Sequence, residues 1–321
     1  MSQAHTRPTG RSAGQSAGQS ARPSVSARAP GKINLGLWVG PLDDDGYHPL
    51  LTAFQAVDVW ETVTLSEAPS LSLQCAGSVD CSGVPLGPDN IAWQALESLA
   101  RARGESDDIA VSIAIDKSVP VAGGMAGGSA DAAATLLALA QWWQPTPSEA
   151  QLSATAAQLG SDVPFCLQGG SAVGRGRGVD LSVVSPRAPL HLVIVPATFE
   201  LSTAAVYRRF DAGAVAPALP SALPDGFLEA WLEGDARRLA PLLHNDLEEP
   251  ARQLQPQLSA ILGDVEAAGA LRAMVSGSGP TVWGIARDGD HAESIARTLG
   301  AQGYAPVVTQ SVITPTADIA R

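Results

Sequence analysis

Pro120-Val-Ala-Gly-Gly-Met-Ala-Gly-Gly-Ser-Ala130 joins a strand-like segment, Ile109 to Ile115, to a helical one, Ala130 to Trp143. Alternating apolar residues mark the first and an alanine- and leucine-rich run marks the second. Gly123, Gly124, Gly127 and Gly128 fill four of six positions between them. Glycines let the backbone approach a ligand closely and adopt positive φ. The helix start behind them offers unpaired N–H groups and the positive end of a dipole. A strand, a glycine tract and a helix start in that order read as a phosphate cradle. Asp131, in the first turn, suits the helix end but would repel phosphate, so its side chain is expected to point away. No Gly-Lys-Ser/Thr follows, and the glycine spacing is not that of a dinucleotide fingerprint. No Gly-x-Ser-x-Gly elbow surrounds Ser129, and the His-Arg-Asp and Asp-Phe-Gly motifs of protein kinases are absent.

Around this tract the chain has 321 residues, room for two domains at about 150 residues each. Hydrophobic residues make up 45 % and aromatic ones only 5 %, so the core must rest on Ala, Val, Leu and Ile. The net charge of −12 argues against non-specific nucleic-acid binding, which needs a basic stripe. No apolar run reaches the roughly 18 residues that span a bilayer. Cys75, Cys81 and Cys166 are an odd number without a Cys-x-x-Cys pair, and the five histidines lack ligand spacing. A disulfide framework and a zinc site are not expected, and a reducing cytoplasm is. Of 20 basic residues only Lys32 and Lys117 are lysine, the compact, tunable cation that suits a phosphate or a reacting oxygen.

Residues 1–24 are rich in Ser, Ala, Gly and Gln and read as a disordered tail. Residues 1–28 hold Arg7, Arg11, Arg22 and Arg28 and no acid. No apolar central region of a signal peptide is present there. A first domain is expected over residues 25–185 and a second over 190–312, with a break at Ser185-Pro-Arg-Ala-Pro189. In the first, Val25 to Val39, Leu51 to Val57 and Val59 to Leu65 read as strands. Asn90 to Arg103 and Pro147 to Gln158 read as helices, with Asp89 as an N-cap. Gly160-Ser-Asp-Val-Pro164 reads as a loop. In the second, Leu190 to Val195, Ser202 to Phe210, Arg272 to Val275, Thr281 to Ala286, His291 to Leu299 and Ala305 to Thr309 follow β-α…β-β-α-β, the order of a ferredoxin-like unit. The fold class is α+β.

Lys32 stands inside an otherwise apolar strand, at an edge or aimed into a cleft. Asp162, before Val-Pro, reads by itself as a helix cap or an Asx-turn. Taken together, a phosphate cradle, one Lys and one Asp suit phosphoryl transfer to a hydroxyl, with the carboxylate accepting the proton.

Three segments, Pro30-Gly-Lys-Ile-Asn-Leu35, Pro120 to Ala130 and Val275-Ser-Gly-Ser-Gly-Pro280, resemble the three motifs of the GHMP kinases. Asp45-Gly-Tyr-His48, Asp89-Asn-Ile91, Gly160 to Pro164 and Asn245-Asp-Leu-Glu248 are similar to the branch whose acceptor is a cytidyl diphosphate-linked methylerythritol, on the non-mevalonate route to isoprenoid precursors. The resemblance covers about residues 25 to 310. It implies a two-domain fold, with an N-terminal ribosomal-protein-like β-α domain, a C-terminal ferredoxin-like domain and the active site between them. It implies an ATP-dependent kinase acting on the acceptor's 2-hydroxyl, with Lys32 and Asp162 as the catalytic pair. Pro120, Val121, Ala122, Gly123, Gly124, Met125, Ala126, Gly127, Gly128, Ser129 and Ala130 match the ATP loop. Asn90 matches a position near adenine and Lys117 a basic residue beside the nucleotide. Tyr47, His48 and Tyr207 match positions around the cytosine and Asn34 one at the erythritol end. Mg²⁺ is the implied metal, with Ser129 the loop hydroxyl that approaches it. The loop departs from the pattern at Ala122 and Ala126, where many relatives carry Gly, and at Ala130, where Ser is common.

No nucleic acid, membrane or obligate protein partner is expected. Two rival readings are another small-molecule GHMP kinase, of homoserine or mevalonate type, and a non-catalytic nucleotide-binding regulator. A base-reading loop at Tyr47 has no purpose for the acceptors of the first, and the presence of both Lys32 and Asp162 speaks against the second.

Overall fold

The computed structural model describes residues 23–104, 109–121, 123–213 and 218–315. The tail expected over residues 1–24 therefore lies almost wholly outside the described residues, as does Ala122. The first half runs β1 (Val25–Val39), β2 (Leu50–Glu67), β3 (Ser72–Gly77), α1 (Ile91–Arg103), β4 (Val111–Lys117), α2 (Gly127–Trp142), α3 (Glu149–Leu159), α4 (Val163–Gln168), β5 (Ser171–Gly176) and β6 (Asp180–Val184). The second runs β7 (His191–Val195), α5 (Thr203–Asp211), α6 (Phe227–Glu233), α7 (Ala236–Leu239), β8 (His244–Asn245), α8 (Glu248–Leu254), α9 (Gln257–Ala267), β9 (Arg272–Val275), β10 (Val282–Ala286), α10 (Gly289–Ala301) and β11 (Val307–Gln310).

The first sheet is built on β2, whose 18 residues pair along their length with β1. The other edge of β2 carries β5 against Leu50 to Gln55 and β4 against Thr62 to Glu67. The sequence suggests two strands here because Asp58 interrupts the apolar pattern, but no turn forms. Residues 51–57 are buried without a break, whereas Glu61, Val63 and Leu65 alternate with partly exposed neighbours. Asp58 marks the change of cover, and β1 shifts register opposite it, between Pro30 and Lys32. The second sheet has the order β11-β7-β10-β9 with antiparallel pairs throughout, the arrangement expected from its βαββαβ order.

The halves are interlocked. β8 lies parallel to β1 at Gly36 and Leu37, and single bridges join Val57 to Ser311 and Gly169 to Pro315. One core cluster joins Ile33, Leu35 and Met125 of the first half to Trp231, Met274 and Trp283 of the second. α2 is buried on most sides, its alanines letting it pack closely on β1, β2, α1 and α4. Its fully buried Leu136 and Leu139 each contribute about 2 kcal/mol of transfer free energy. This anchoring holds the helix start, and the glycine tract before it, in a fixed place.

Candidate active site

The glycine tract is clamped between β1 and the loop Ser276 to Thr281. Lys32 N–H donates to the Met125 carbonyl at 3.0 Å, and the Ser276 hydroxyl donates to the Gly124 carbonyl at 3.0 Å. Gly124 has φ +74°, and a Cβ there would lie 2.2 Å from the Ser276 carbonyl oxygen. Ala126, at φ 60°, is the one non-glycine residue in left-handed conformation among the described residues. That backbone costs an L-residue about 1–2 kcal/mol. It turns the chain so that α2 begins at Gly127, three residues before the expected start at Ala130. Gly127, Gly128 and Ser129 then line a cleft of about 970 Å³.

Lys32 and Asp162 face the same cleft. Lys32 Nζ lies 3.4 Å from Asp162 Oδ2, with the lysine side chain 6 % and the carboxylate 32 % exposed. Asp162 occupies the N-cap position of α4, yet its side chain makes no capping bond. The local use that sequence reading favours for it is therefore not made. Lys32 Nζ also donates to Asn34 Oδ1 at 2.9 Å; Asn34 Nδ2 donates to Thr52 Oγ1 at 2.7 Å, and Thr52 Oγ1 to the Gly36 carbonyl at 2.9 Å. Lys32 and Asn34 are thus fixed by a buried chain of hydrogen bonds, and a polar group must have such partners to be buried cheaply. Gly277, at φ +56°, closes over them, its Cβ direction passing 3.4 Å from Asn34 Oδ1 and 3.6 Å from Lys32 Nζ. Asn245 holds that loop by donating to the carbonyls of Val275 and Gly277.

Lys117 and Asn90 are not in the lining of this cleft. Lys117 is 2 % exposed and lies in a buried triad, its Nζ 3.0 Å from Glu61 Oε1 and 2.6 Å from Asp131 Oδ2. Glu61 Oε2 accepts from the Ser118 N–H, and its Oε1 sits beside Gly127. Asp131 therefore does point away from the tract. Burial, then the neighbouring Asp131, pushes the Glu61 carboxyl up to about 7 against the pull of Lys117. Burial likewise raises Asp131 to about 6. Burial works against the Lys117 charge, but its two carboxylates hold its pKa above the ordinary value. Asn90, rather than the expected Asp89, caps α1. Its Oδ1 accepts from Ala92 N–H and its Nδ2 donates to the Pro85 carbonyl. Of the loop residues, Gly123, Gly124, Ala126, Gly127, Gly128 and Ser129 line the cleft, while Met125 and Ala130 are buried as packing.

The far end of the cleft holds Tyr47, His48 and Tyr207. Tyr47 is 52 % exposed, on a turn that Asp43 Oδ1 closes by accepting its N–H. His48 Nδ1 donates to the Gly40 carbonyl at 2.8 Å, and its ring stacks on Tyr207 with centroids 5.4 Å apart. Its Nε2 lies 3.1 Å from Asp211 Oδ1 but outside hydrogen-bond geometry, shielded from the cleft. The imidazole is thus a fixture of the wall, and the His48 backbone N–H and carbonyl remain without partners among the described residues. Burial and then the Asp162 charge push the Tyr207 hydroxyl up to about 12, so it stays a neutral phenol. Sequence reading misses Thr52, Arg177 and Arg208, which also line the cleft. It misses Glu61 as well. None stands in a motif.

This chain matches two family descriptions, GHMP kinases N terminal domain over residues 90–170 and GHMP kinases C terminal over residues 227–305. It is 47 % identical over 287 residues to the 4-diphosphocytidyl-2-C-methyl-D-erythritol kinase of Rhodococcus jostii, covering 88 % of this chain and 91 % of that one. A crystal structure of 4-(cytidine 5'-diphospho)-2C-methyl-D-erythritol kinase superposes with a TM-score of 0.74 at 33 % identity, covering 89 % of this chain and 98 % of that chain. Homoserine kinase from Cytophaga hutchinsonii gives a TM-score of 0.66 at 18 % identity over 92 % and 96 % of the two chains, a likeness of fold alone.

Proposed function

The chain belongs to the 4-diphosphocytidyl-2-C-methyl-D-erythritol kinase family of GHMP kinases, and from that premise we propose how its cleft acts. The enzyme is an ATP-dependent kinase of isoprenoid-precursor synthesis. It phosphorylates the 2-hydroxyl of 4-diphosphocytidyl-2-C-methyl-D-erythritol. The observation that carries this reading is that Lys32 and Asp162, 3.4 Å apart, face one cleft that the start of α2 and an aromatic wall also line. In this reading residues 25–185 bind ATP and residues 190–312 close the other side.

The γ-phosphate rests on the amides at the start of α2, where the helix dipole favours negative charge. The acceptor is a tertiary alcohol, a crowded nucleophile. Asp162 takes its proton as the new O–P bond forms and the bond from the γ-phosphorus to the β–γ bridging oxygen breaks, releasing ADP. Lys32 offsets charge on the transferring group. Asn34 orients the lysine and faces the polyol. The cytosine stacks on Tyr47, and Tyr207, backed by His48, forms the opposing surface. The unpaired backbone of His48 supplies one donor and one acceptor for the base edge.

Among the described residues no three His, Cys, Asp or Glu side chains gather to hold a metal. Asp131 is bound to Lys117 and Asp162 faces Lys32. Mg²⁺ would be carried mainly by the phosphates, and Ser129 and Asp162, which line the same cleft, are the residues whose hard oxygen atoms would hold it. When bound, it neutralises phosphate charge. The cytoplasm is the compartment we assign, from the sparse, unpatterned cysteines of the sequence; no helix among the described residues is long and apolar enough to cross a membrane.

The test is ADP release from ATP across a panel holding the cytidyl substrate, mevalonate, homoserine and no acceptor. Turnover confined to the cytidyl substrate supports the reading. Turnover with mevalonate or homoserine instead, or with no acceptor at all, overturns it.

A further inference from the structure

A diphosphate that links a pyrimidine to a polyol brings about two negative charges into a protein whose own net charge is −12. The cations that line the cleft among the described residues, histidine aside, are Lys32, Arg177 and Arg208. Lys32 is committed to Asn34 and Asp162. Arg208 is exposed on α5 and makes no ion pair or ring contact among the described residues. Arg177, in the turn between β5 and β6, is held differently. Its guanidinium carbon lies 3.7 Å from the centre of the Tyr47 ring, which is stacking distance. Its one ion-pair contact among the described residues is loose and open to water, 3.8 Å to Asp45 Oδ2, with side chains 48 % and 79 % exposed. Such a contact contributes little. The guanidinium is therefore positioned by the ring and not by its hydrogen bonds, so its N–H edge is available. A planar cation laid on the residue that stacks the base, with its donors open, matches a phosphate in both charge and shape.

We infer that Arg177 pairs with the diphosphate of the acceptor, using Tyr47 as its platform. The turn after β5 thereby sets a preference for a nucleoside diphosphate over a bare nucleoside. The inference rests on the reading that this end of the cleft takes a cytidyl group. Asp45 and Asp211 are carboxylates at the same end, so without Arg177 the diphosphate would meet mainly repulsion there.

Calorimetric titration of the full chain with cytidine and with cytidine 5'-diphosphate tests this. A non-hydrolysable ATP analogue at saturation keeps the probes out of the phosphate loop. Arg177→Ala should weaken the diphosphate by about 10- to 100-fold, the range of a lost charge-assisted hydrogen bond, while cytidine changes less than about threefold. Arg177→Lys should recover part of the loss, since it restores the charge but not the planar fork. In turnover, KM for the cytidyl substrate should rise with kcat and the KM for ATP little changed. Equal losses for both probes would make Arg177 a mere prop for Tyr47 and overturn the inference, as would unchanged diphosphate affinity. A wild-type protein that binds neither probe would overturn the cytidyl reading itself, and the inference with it.

Discussion

The two ends of the cleft are built on opposite principles. At the phosphate end nearly everything is buried backbone. Gly124 touches the carbonyl of Ser276, Met125 accepts from Lys32, and α2 is packed on most sides. At the base end the contacts are side chains, those of Tyr47, His48 and Arg177 on turns and that of Tyr207 on α5. Tyr47 is half exposed, Arg177 rides on it, and His48 is propped by Gly40 and Tyr207. The first arrangement suits a group common to many kinases, whose shape never changes. The second suits a feature that distinguishes one acceptor from another, because side chains on turns can be exchanged without disturbing the core.

The contrast can be broken at either end. Gly124→Ala places a Cβ into the Ser276 carbonyl and forces a left-handed backbone on an L-residue. We expect a loss of about 2–4 kcal/mol in chemical denaturation, with ATP affinity falling alongside. A variant of unchanged stability would mean that the loop is not clamped. Tyr47→Ala should leave stability alone and raise KM for the cytidyl substrate by about 5- to 100-fold, as loss of one stacked base does, with KM for ATP within twofold. Equal rises in both KM values would make the residue a structural one.

A smaller effect sharpens the picture beneath the loop. Glu61 and Asp131 have folded pKa values raised to about 7 and about 6. Groups raised in this way bind protons more tightly folded than unfolded. Their contribution is present below pH 4 and is lost as pH climbs through 6 and 7. Glu61→Gln removes the titration of the more strongly raised carboxyl. Its stability relative to wild type should therefore rise between pH 5 and pH 8 in paired denaturation curves. A constant difference across that range would show that Glu61 does not hold a proton there.

Much of this was legible in the residues. The ferredoxin-like order of the second half emerged from short apolar runs and their spacing, and the glycine tract read as a phosphate cradle, the reading from which the proposed chemistry starts. What escaped was set by tertiary contact. β3 has few strand-forming residues in Ser72-Leu-Gln-Cys-Ala-Gly77 and exists because β4 offers it a parallel edge. α4 hides in Gly160-Ser-Asp-Val-Pro164, where Pro164 looks like a turn but stands in the first turn of a helix, a place that needs no N–H. Lys117 attracted notice as one of two lysines, but its carboxylate partners Glu61 and Asp131 lie 56 and 14 residues away. Nothing local signals that pairing. Arg177 was one arginine among 18 until the turn after β5 laid it on Tyr47.

The chemistry itself rests on the carboxylate beside Lys32 acting on the acceptor and not as a helix cap. Single-turnover phosphoryl transfer by Asp162→Asn, with ATP and the cytidyl substrate both saturating, measures that directly. The rate should fall by about 10²- to 10⁴-fold with ATP affinity within several-fold of wild type. A rate close to wild type would contradict the assignment of Asp162 as the base.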